Sequence, residues 1–447
     1  MKLKLFYILS LFCMLFTACS EDEPIVSLSQ KEFNDIPCEG ATYEIKLETG
    51  ADWTATSLAD WCKVVNEKGI GNSSVNVIVK GNIRDARTGE VVIYSNGEKQ
   101  SIYFNQLGLE AGATFTYKIP VIFHVIYNDA SDKKQNPDTE AVYGLLNDVN
   151  EFYGTALGED SGLKLEFTFA QFDPNGNKLE EAGIERIKWG NATLDPEDVM
   201  GNQTNKYTHF IWDPNEYVNV LLYNFSQPYI LGISTFPLTT KAHPLPGGGD
   251  IVDNMNITME NLKYVRGLSI NSSYIYNGKD QLVDYVPEEL KPVFEKQTSV
   301  SVTLAHELGH YFGLRHVFSE SSNNREDTDY CTDTKAYDRK SPQGYEATLS
   351  QLLDYAISLQ DWSLLFQRTS IEGVPFDAHN IMDYNYCYMD EITPQQVERV
   401  RHVLLYSPMI PGPKDTRDYL SRGASVEGPI DLPMTLSDGY PLLRPMK

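Results

Sequence analysis

The stretch His306-Glu307-Leu308-Gly309-His310-Tyr311-Phe312-Gly313-Leu314-Arg315-His316 concentrates three imidazoles and a carboxylate in a single short segment. On a helix, residues four apart share one face, so His306 and His310 aim at one ion. Glu307, next to the first of them, reaches a water on that ion. His316 comes six residues after His310, so the helix must end and the chain must turn back. Gly313 permits that turn, because glycine enters the left-handed region without steric cost. Three neutral imidazoles with one open position make a catalytic zinc arrangement, whereas a structural zinc is closed by four protein ligands. The residues just upstream, Ser301 to Ala305, hold no proline or glycine and suit a helix. The competing reading is a helix whose histidines are simply satisfied core residues.

The pattern resembles the metzincin signature. Asn380-Ile381-Met382-Asp383-Tyr384 is similar to the methionine turn of those enzymes. The resemblance implies that Met382 packs a soft thioether under the imidazoles without ligating, and that Tyr384 helps bind an oxyanion. Within metzincins the chain most resembles the pappalysin-like branch and its bacterial lipoprotein relatives, from about Ile119 to Gln396. Besides the histidines and the turn, the likeness rests on Ile119-Pro120-Val121-Ile122-Phe123-His124-Val125, on Leu231 to Pro237, and on Cys387 followed by Ile392-Thr393-Pro394-Gln395. It implies an endopeptidase acting on protein or peptide substrates with zinc, Glu307 taking a proton from water and passing it to the leaving amine. One departure stands in the loop after His316, where Asp333-Thr334-Lys335 replaces the Asp-Thr-Pro usual in that branch.

That loop also holds Glu326, Asp327, Asp329 and Asp333. Asp327, Asp329 and Asp333 together suit calcium, which takes six to eight oxygen ligands; the alternative is a solvated acidic loop. Four cysteines fall outside the first nineteen residues, and an oxidising compartment would allow them to pair. Their positions suggest Cys331–Cys387 and Cys38–Cys62. His124, His209, His243, His379 and His402 read as core or surface residues.

Around the histidine segment, the expected elements are mixed. Ile119 to Tyr127 is a continuous apolar strand, and residues 138 to 153 carry an apolar face at helical spacing. Leu163 to Phe169 alternates as a half-buried strand, and Tyr217 to Phe225 and Gly232 to Phe236 are further strands, the last at an edge. Helices are expected at about 299–313, 345–359 and 393–406. The fold class is therefore α+β: a metzincin-type catalytic domain at 111–412, with a mixed sheet, an active-site helix and a Met-turn. Ahead of it, residues 20–110 form a small all-β sandwich, with Asn96-Gly97 as a tight hairpin signal. Trp53, Trp61, Asn82, Arg87, Gln106 and Gly108 resemble the pattern of BACON domains, which implies glycan or mucin contact; the alternative is a spacer whose tryptophans are core. Residues 413–447 are proline-rich and read as an irregular tail.

The N-terminus reads as a processing signal over 1–19. Lys2 and Lys4 precede an apolar run, and Phe16-Thr17-Ala18-Cys19 resembles a bacterial lipobox, which implies lipidation of Cys19. The acidic Ser20-Glu21-Asp22-Glu23 resembles the surface-export tag of some bacterial lipoproteins. The expected location is the outer membrane, surface-exposed, with the membrane touched only through the lipid. A formal net charge of -25 over 447 residues excludes nucleic acid as a partner, since no basic patch could dominate such a surface. Two other readings compete with a secreted, lipid-anchored endopeptidase. One is a glycan-binding adhesin with an inert peptidase half; the other is an enzyme that matures by cleaving its own N-terminal domain.

Overall fold

The computed structural model describes residues 26–156, 163–247, 249–252, 256–276, 281–297, 299–384, 386–415 and 427–441. The expected signal segment, 1–19, and Cys19 with it, lie outside them. Among the described residues no helix is long and apolar enough to cross a membrane.

Two antiparallel-rich sheets face one another in the N-terminal region. One orders Val26–Leu28, Ala41–Thr49, Ser73–Val79 and Cys62–Val64; the other orders Glu32–Ile36, Glu98–Gln106, Arg87–Ser95, Asp52–Ser57 and Lys68–Ile70. Val75, Val77 and Val79 alternate inward from the first sheet and meet Trp53, Ile93, Ile102 and Phe104 of the second. Strict alternation is what lets one face of each strand leave water. Asn96 and Gly97 both take positive φ, at 50° and 84°, and close the hairpin between Ser95 and Glu98. A primed turn matches the twist of the flanking strands, as the Asn-Gly pair requires. The expected all-β sandwich is therefore present.

The remaining chain is built on a sheet whose central strand is Tyr117–Tyr127. One edge of that strand pairs in parallel with Leu165–Phe169 along its first half and Ile184–Lys188 along its second. Its other edge pairs with Val218–Tyr223, which pairs with Leu268–Asn271. Ile230–Ser234 then runs antiparallel to Leu268–Asn271. The central strand buries both faces, which is why it reads as a continuous apolar run rather than an alternating one.

Three helices cover this sheet and its flank. Thr139–Glu151 and Val300–Tyr311 share a core with the sheet through Val142, Leu146, Val149, Leu304 and Leu308. Pro394–Tyr406 opens with a capping box in which Thr393 and Gln396 bond each other's backbone. Tyr345–Leu359 lies more peripherally, with Tyr345 and Ala356 as its buried residues. The α+β class is as expected, with strand and helix boundaries shifted by a few residues. The tail differs: it is not merely irregular, because Tyr440–Pro441 adds a short antiparallel strand to Ile230–Ser234.

An ion-pair clamp joins the sandwich to the α+β region. Glu216 meets Lys63 at 3.3 Å and Lys80 at 2.6 Å. Burial works to raise the Glu216 pKa, but the two lysines outweigh it and hold the carboxyl below its usual value. A depressed carboxylate contributes stability above its unfolded pKa, and that contribution is lost as pH falls through the folded one. The Glu216→Gln substitution is expected to lower the thermal midpoint at pH 7 by about 2 °C, since such partly exposed pairs are worth little. Its gap from the unsubstituted chain is expected to narrow as the pH falls through the depressed Glu216 pKa, below the ordinary glutamate range, which calorimetry across pH checks.

Candidate metal centre

The helix Val300–Tyr311 begins with Ser299, whose side chain accepts from the Ser301 amide. It ends in a Schellman motif. Gly313, at φ 88°, donates to the His310 carbonyl at 2.9 Å, and Leu314 donates to the Gly309 carbonyl at 2.9 Å. This left-handed closure turns the chain back within one residue, as expected. His316 thereby returns to the face that carries His306 and His310.

The three imidazoles converge. Nε2 of His310 lies 3.1 Å from Nε2 of His306 and 3.1 Å from Nε2 of His316. Nδ1 of His306 is 2.7 Å from the Ile381 carbonyl, and Nδ1 of His310 is 2.8 Å from the Leu314 carbonyl. Carbonyls only accept, so both Nδ1 atoms carry the proton and both Nε2 atoms present lone pairs. His316 is held likewise by the Glu320 carboxylate, 2.7 Å from its Nδ1. Lone pairs facing each other at this distance repel unless a cation lies among them. Two nitrogens at about 2.0 Å from one tetrahedral zinc would stand about 3.3 Å apart, close to what is observed. The donor set therefore fits zinc, and among the described residues no other His, Cys, Asp or Glu group gathers to hold an ion.

Burial keeps these rings neutral. It holds His306 well below the usual range, with the other two imidazoles adding to it. Burial and then His316 bring His310 down to about 3, and burial and then Arg339 bring His316 to about 3. Neutral imidazole is the form that ligates a metal.

Glu307 is buried one residue from His306. Burial raises its pKa to about 8, against the Ser437 hydroxyl and the Tyr440 backbone, which favour the ionised form. Its Oε1 has no hydrogen-bond partner, and its Oε2 accepts from Ser437 Oγ at 3.0 Å. Gly232 makes room for it: a Cβ there would stand 2.8 Å from Glu307 Cγ and 2.8 Å from Thr303 Cγ2. The glycine thus brings the edge strand against the active-site helix.

Met382 sits beneath the histidines, fully buried. A Cβ on Gly309 would lie 2.4 Å from its Sδ, so the glycine of the histidine motif is the notch that admits the thioether. The turn is locked from below. Asp383 accepts from Tyr337 Oη at 2.5 Å and faces Arg368 at 3.7 Å, both partners being buried. The Tyr384 ring meets that of His316 edge-on at 4.5 Å, and the Arg339 guanidinium lies 4.6 Å over the Tyr384 ring.

Other expected groups do not assemble. Asp327, Asp329 and Asp333 do not gather as a group of three ligands, although the Asp327 and Asp329 carboxyls face each other. Asp327 accepts from the Asp329 amide at 3.1 Å, and Asp329 from the Cys331 amide at 2.8 Å and Thr334 Oγ1 at 2.7 Å. Asp333 accepts from Thr393 Oγ1 at 2.8 Å and the Gln395 amide at 2.9 Å. These oxygens brace the loop and tie it to the start of the last helix, and they lend the calcium expectation no support. Neither disulfide forms, for Cys38, Cys62, Cys331 and Cys387 are all free. Cys387 Sγ turns to the Asn380 carbonyl at 3.3 Å, and Cys62 Sγ packs where a Gly89 side chain would stand. Burial pushes the Cys62 and Cys331 thiols up to about 12, which keeps them neutral and unreactive.

The remaining histidines serve the scaffold; His124, for example, bonds Glu185 at 2.7 Å and Asn219 at 2.9 Å. In the sandwich, Trp53 is buried and donates to Ser73 Oγ at 3.0 Å, while Arg87 covers Trp61 at 4.2 Å. Both tryptophans are thus engaged inside the domain. Sequence reasoning missed Glu320, Ser437, Gly439 and Tyr440. Glu320, four residues beyond His316 and acidic, carried a signal; the last three did not, because they reach the site only through strand pairing.

Residues 283–405 match the model of the peptidase family M43, described as pregnancy-associated plasma protein-A, and residues 51–107 match BACON, described as a putative N-terminal binding domain. An extracellular metalloprotease of Arthroderma otae is 32% identical over 103 residues, covering 22% of this chain and 37% of the relative. The match thus spans little more than a third of that relative's length. Mature mirolysin of Tannerella forsythia, solved with a cleaved peptide, is similar at 21% identity and a TM-score of 0.43, covering 69% of this chain and 96% of that one. The matched peptidase segment contains the histidines, Glu307 and the Met-turn, so the expected pappalysin and BACON resemblances are both found.

Substituting Gly309→Ala places a methyl against Met382 Sδ. The overpacking, about 1–3 kcal/mol, is expected to exceed the ~1 kcal/mol of helix propensity gained. Thermal denaturation is expected to show a net loss, and Gly309→Ala is expected to cost less when made in a Met382→Ala background than in the unsubstituted chain, a non-additive pair.

Proposed function

We propose that this chain is a secreted, lipid-anchored zinc endopeptidase of the bacterial cell surface. The observation that carries the catalytic part is the convergence of three Nε2 lone pairs beside a buried carboxylate with one free oxygen. Secretion and lipidation rest on the lipobox-like segment ending at Cys19, and surface exposure on the acidic tract that follows it. Protein or peptide is the substrate class that the family match supports. The BACON domain is the candidate for glycan contact, through a face other than its two engaged tryptophans.

A zinc held by His306, His310 and His316 supplies a Lewis acid and lowers the pKa of a water at the site. The chain does the rest. The Ile381 and Leu314 carbonyls and Glu320 fix each ring's tautomer and raise its basicity. Glu307 takes the proton of the attacking water on its unpartnered Oε1 and returns it to the leaving amine. The Tyr384 hydroxyl donates to the developing oxyanion. Gly232 and its strand give an extended peptide a sheet edge close to Glu307.

The test compares zinc content and turnover. Glu307→Gln is expected to keep one zinc per chain while lowering kcat by about 10²–10⁴. His310→Ala is expected to lose the zinc as well. Unchanged turnover in Glu307→Gln on a peptide library read by mass spectrometry would refute the assigned base.

A further inference from the structure

The chain beyond residue 426 returns to the α+β region and crosses the mouth of the histidine site. The Gly428 carbonyl accepts from Asn261 Nδ2 at 2.8 Å, and the Pro433 carbonyl from Tyr264 Oη at 2.7 Å. Thr435 Oγ1 then donates to Asp250 at 2.8 Å. From there the segment runs antiparallel along the sheet edge. The Phe236 amide donates to the Thr435 carbonyl at 2.9 Å, and the Ser437 amide to the Ser234 carbonyl at 2.8 Å. The Ser234 amide donates in turn to Ser437 Oγ at 2.9 Å, and Tyr440 pairs with Gly232. A sheet edge offers its backbone groups to any extended peptide, and here the chain's own C-terminal segment has taken them.

Its side chains engage the reactive groups. Ser437 Oγ donates to Glu307 Oε2 at 3.0 Å, and Tyr384 Oη donates to the Gly439 carbonyl at 3.3 Å. The hydroxyl assigned to a substrate carbonyl thus already holds a peptide carbonyl. The Tyr440 ring stands 4.7 Å from that of His306 and 5.1 Å from that of Tyr384, and it is buried. With the segment seated, His306, Glu307, His310, His316 and Tyr384 are all buried as well.

We infer that residues 433–441 are an intramolecular inhibitor, an extended pseudo-substrate that lies along Ile230–Ser234 and must leave before a peptide enters. The inference rests on the peptidase reading of the site. Being tethered, the segment competes at a high effective concentration, so individually modest contacts close the groove. The affinity of an incoming ligand is then reduced by the fraction of molecules that are open.

The experiment uses the zinc-loaded chain and a peptide hydroxamate, whose binding is followed by fluorescence anisotropy without any need for turnover. The double variant Ser437→Ala/Tyr440→Ala is expected to bind the hydroxamate about tenfold more tightly than the unsubstituted chain, or better. A chain ended after residue 432 is expected to behave alike, with an added synthetic peptide of residues 433–441 competing for the site. Equal affinity in the double variant and the unsubstituted chain would overturn the proposal, whether or not the shortened chain folds. If the variant binds more tightly but neither form cleaves any peptide, the peptidase reading fails while the occlusion stands.

Discussion

Two backbone carbonyls decide what the centre of this molecule can be. By accepting from Nδ1 of His306 and His310, the Ile381 and Leu314 carbonyls leave each Nε2 as a lone pair. Those lone pairs face one another at 3.1 Å, an arrangement that only a shared cation relieves. One of these carbonyls comes from the Met-turn and the other from the turn that ends the helix. The metal group therefore depends on tertiary structure as much as on the histidine spacing.

Most of the surrounding structure serves that convergence. Gly313 ends the helix so that His316 can return, and Gly309 makes the notch that seats Met382. The buried Asp383–Arg368 pair anchors the turn that supplies the Ile381 carbonyl. A buried ion pair adds little net stability, yet removing one partner leaves an uncompensated charge, so its value here is positional. On the opposite side, Gly232 lets the edge strand approach Glu307 closely enough for one extended segment to touch strand and carboxylate together.

The parts legible in the sequence are those governed by local rules. The helix over His306 and His310, its glycine stop, the Asn96-Gly97 hairpin and the apolar central strand each follow from spacing and residue type alone. The Met-turn was legible only by resemblance, since nothing local distinguishes Met382 from a core methionine. The acidic loop is ambiguous in the sequence because carboxylates at calcium-like spacing look the same when they brace a loop, as Asp329 and Asp333 do here. The cysteines misled for a related reason: closeness of elements in the chain says nothing about where a thiol points. The C-terminal segment was illegible because its role comes from pairing with a strand some two hundred residues earlier, between partners of unremarkable composition.

The central claim is that one zinc sits among three histidine nitrogens, with a remaining position open to substrate. X-ray absorption at the zinc edge, on the full chain with one equivalent of zinc, tests it most directly. The account predicts a first shell of three imidazole nitrogens at about 2.0 Å with an added light atom, reduced by one imidazole in His316→Ala. A shell containing sulfur, or one unchanged by His316→Ala, would contradict it.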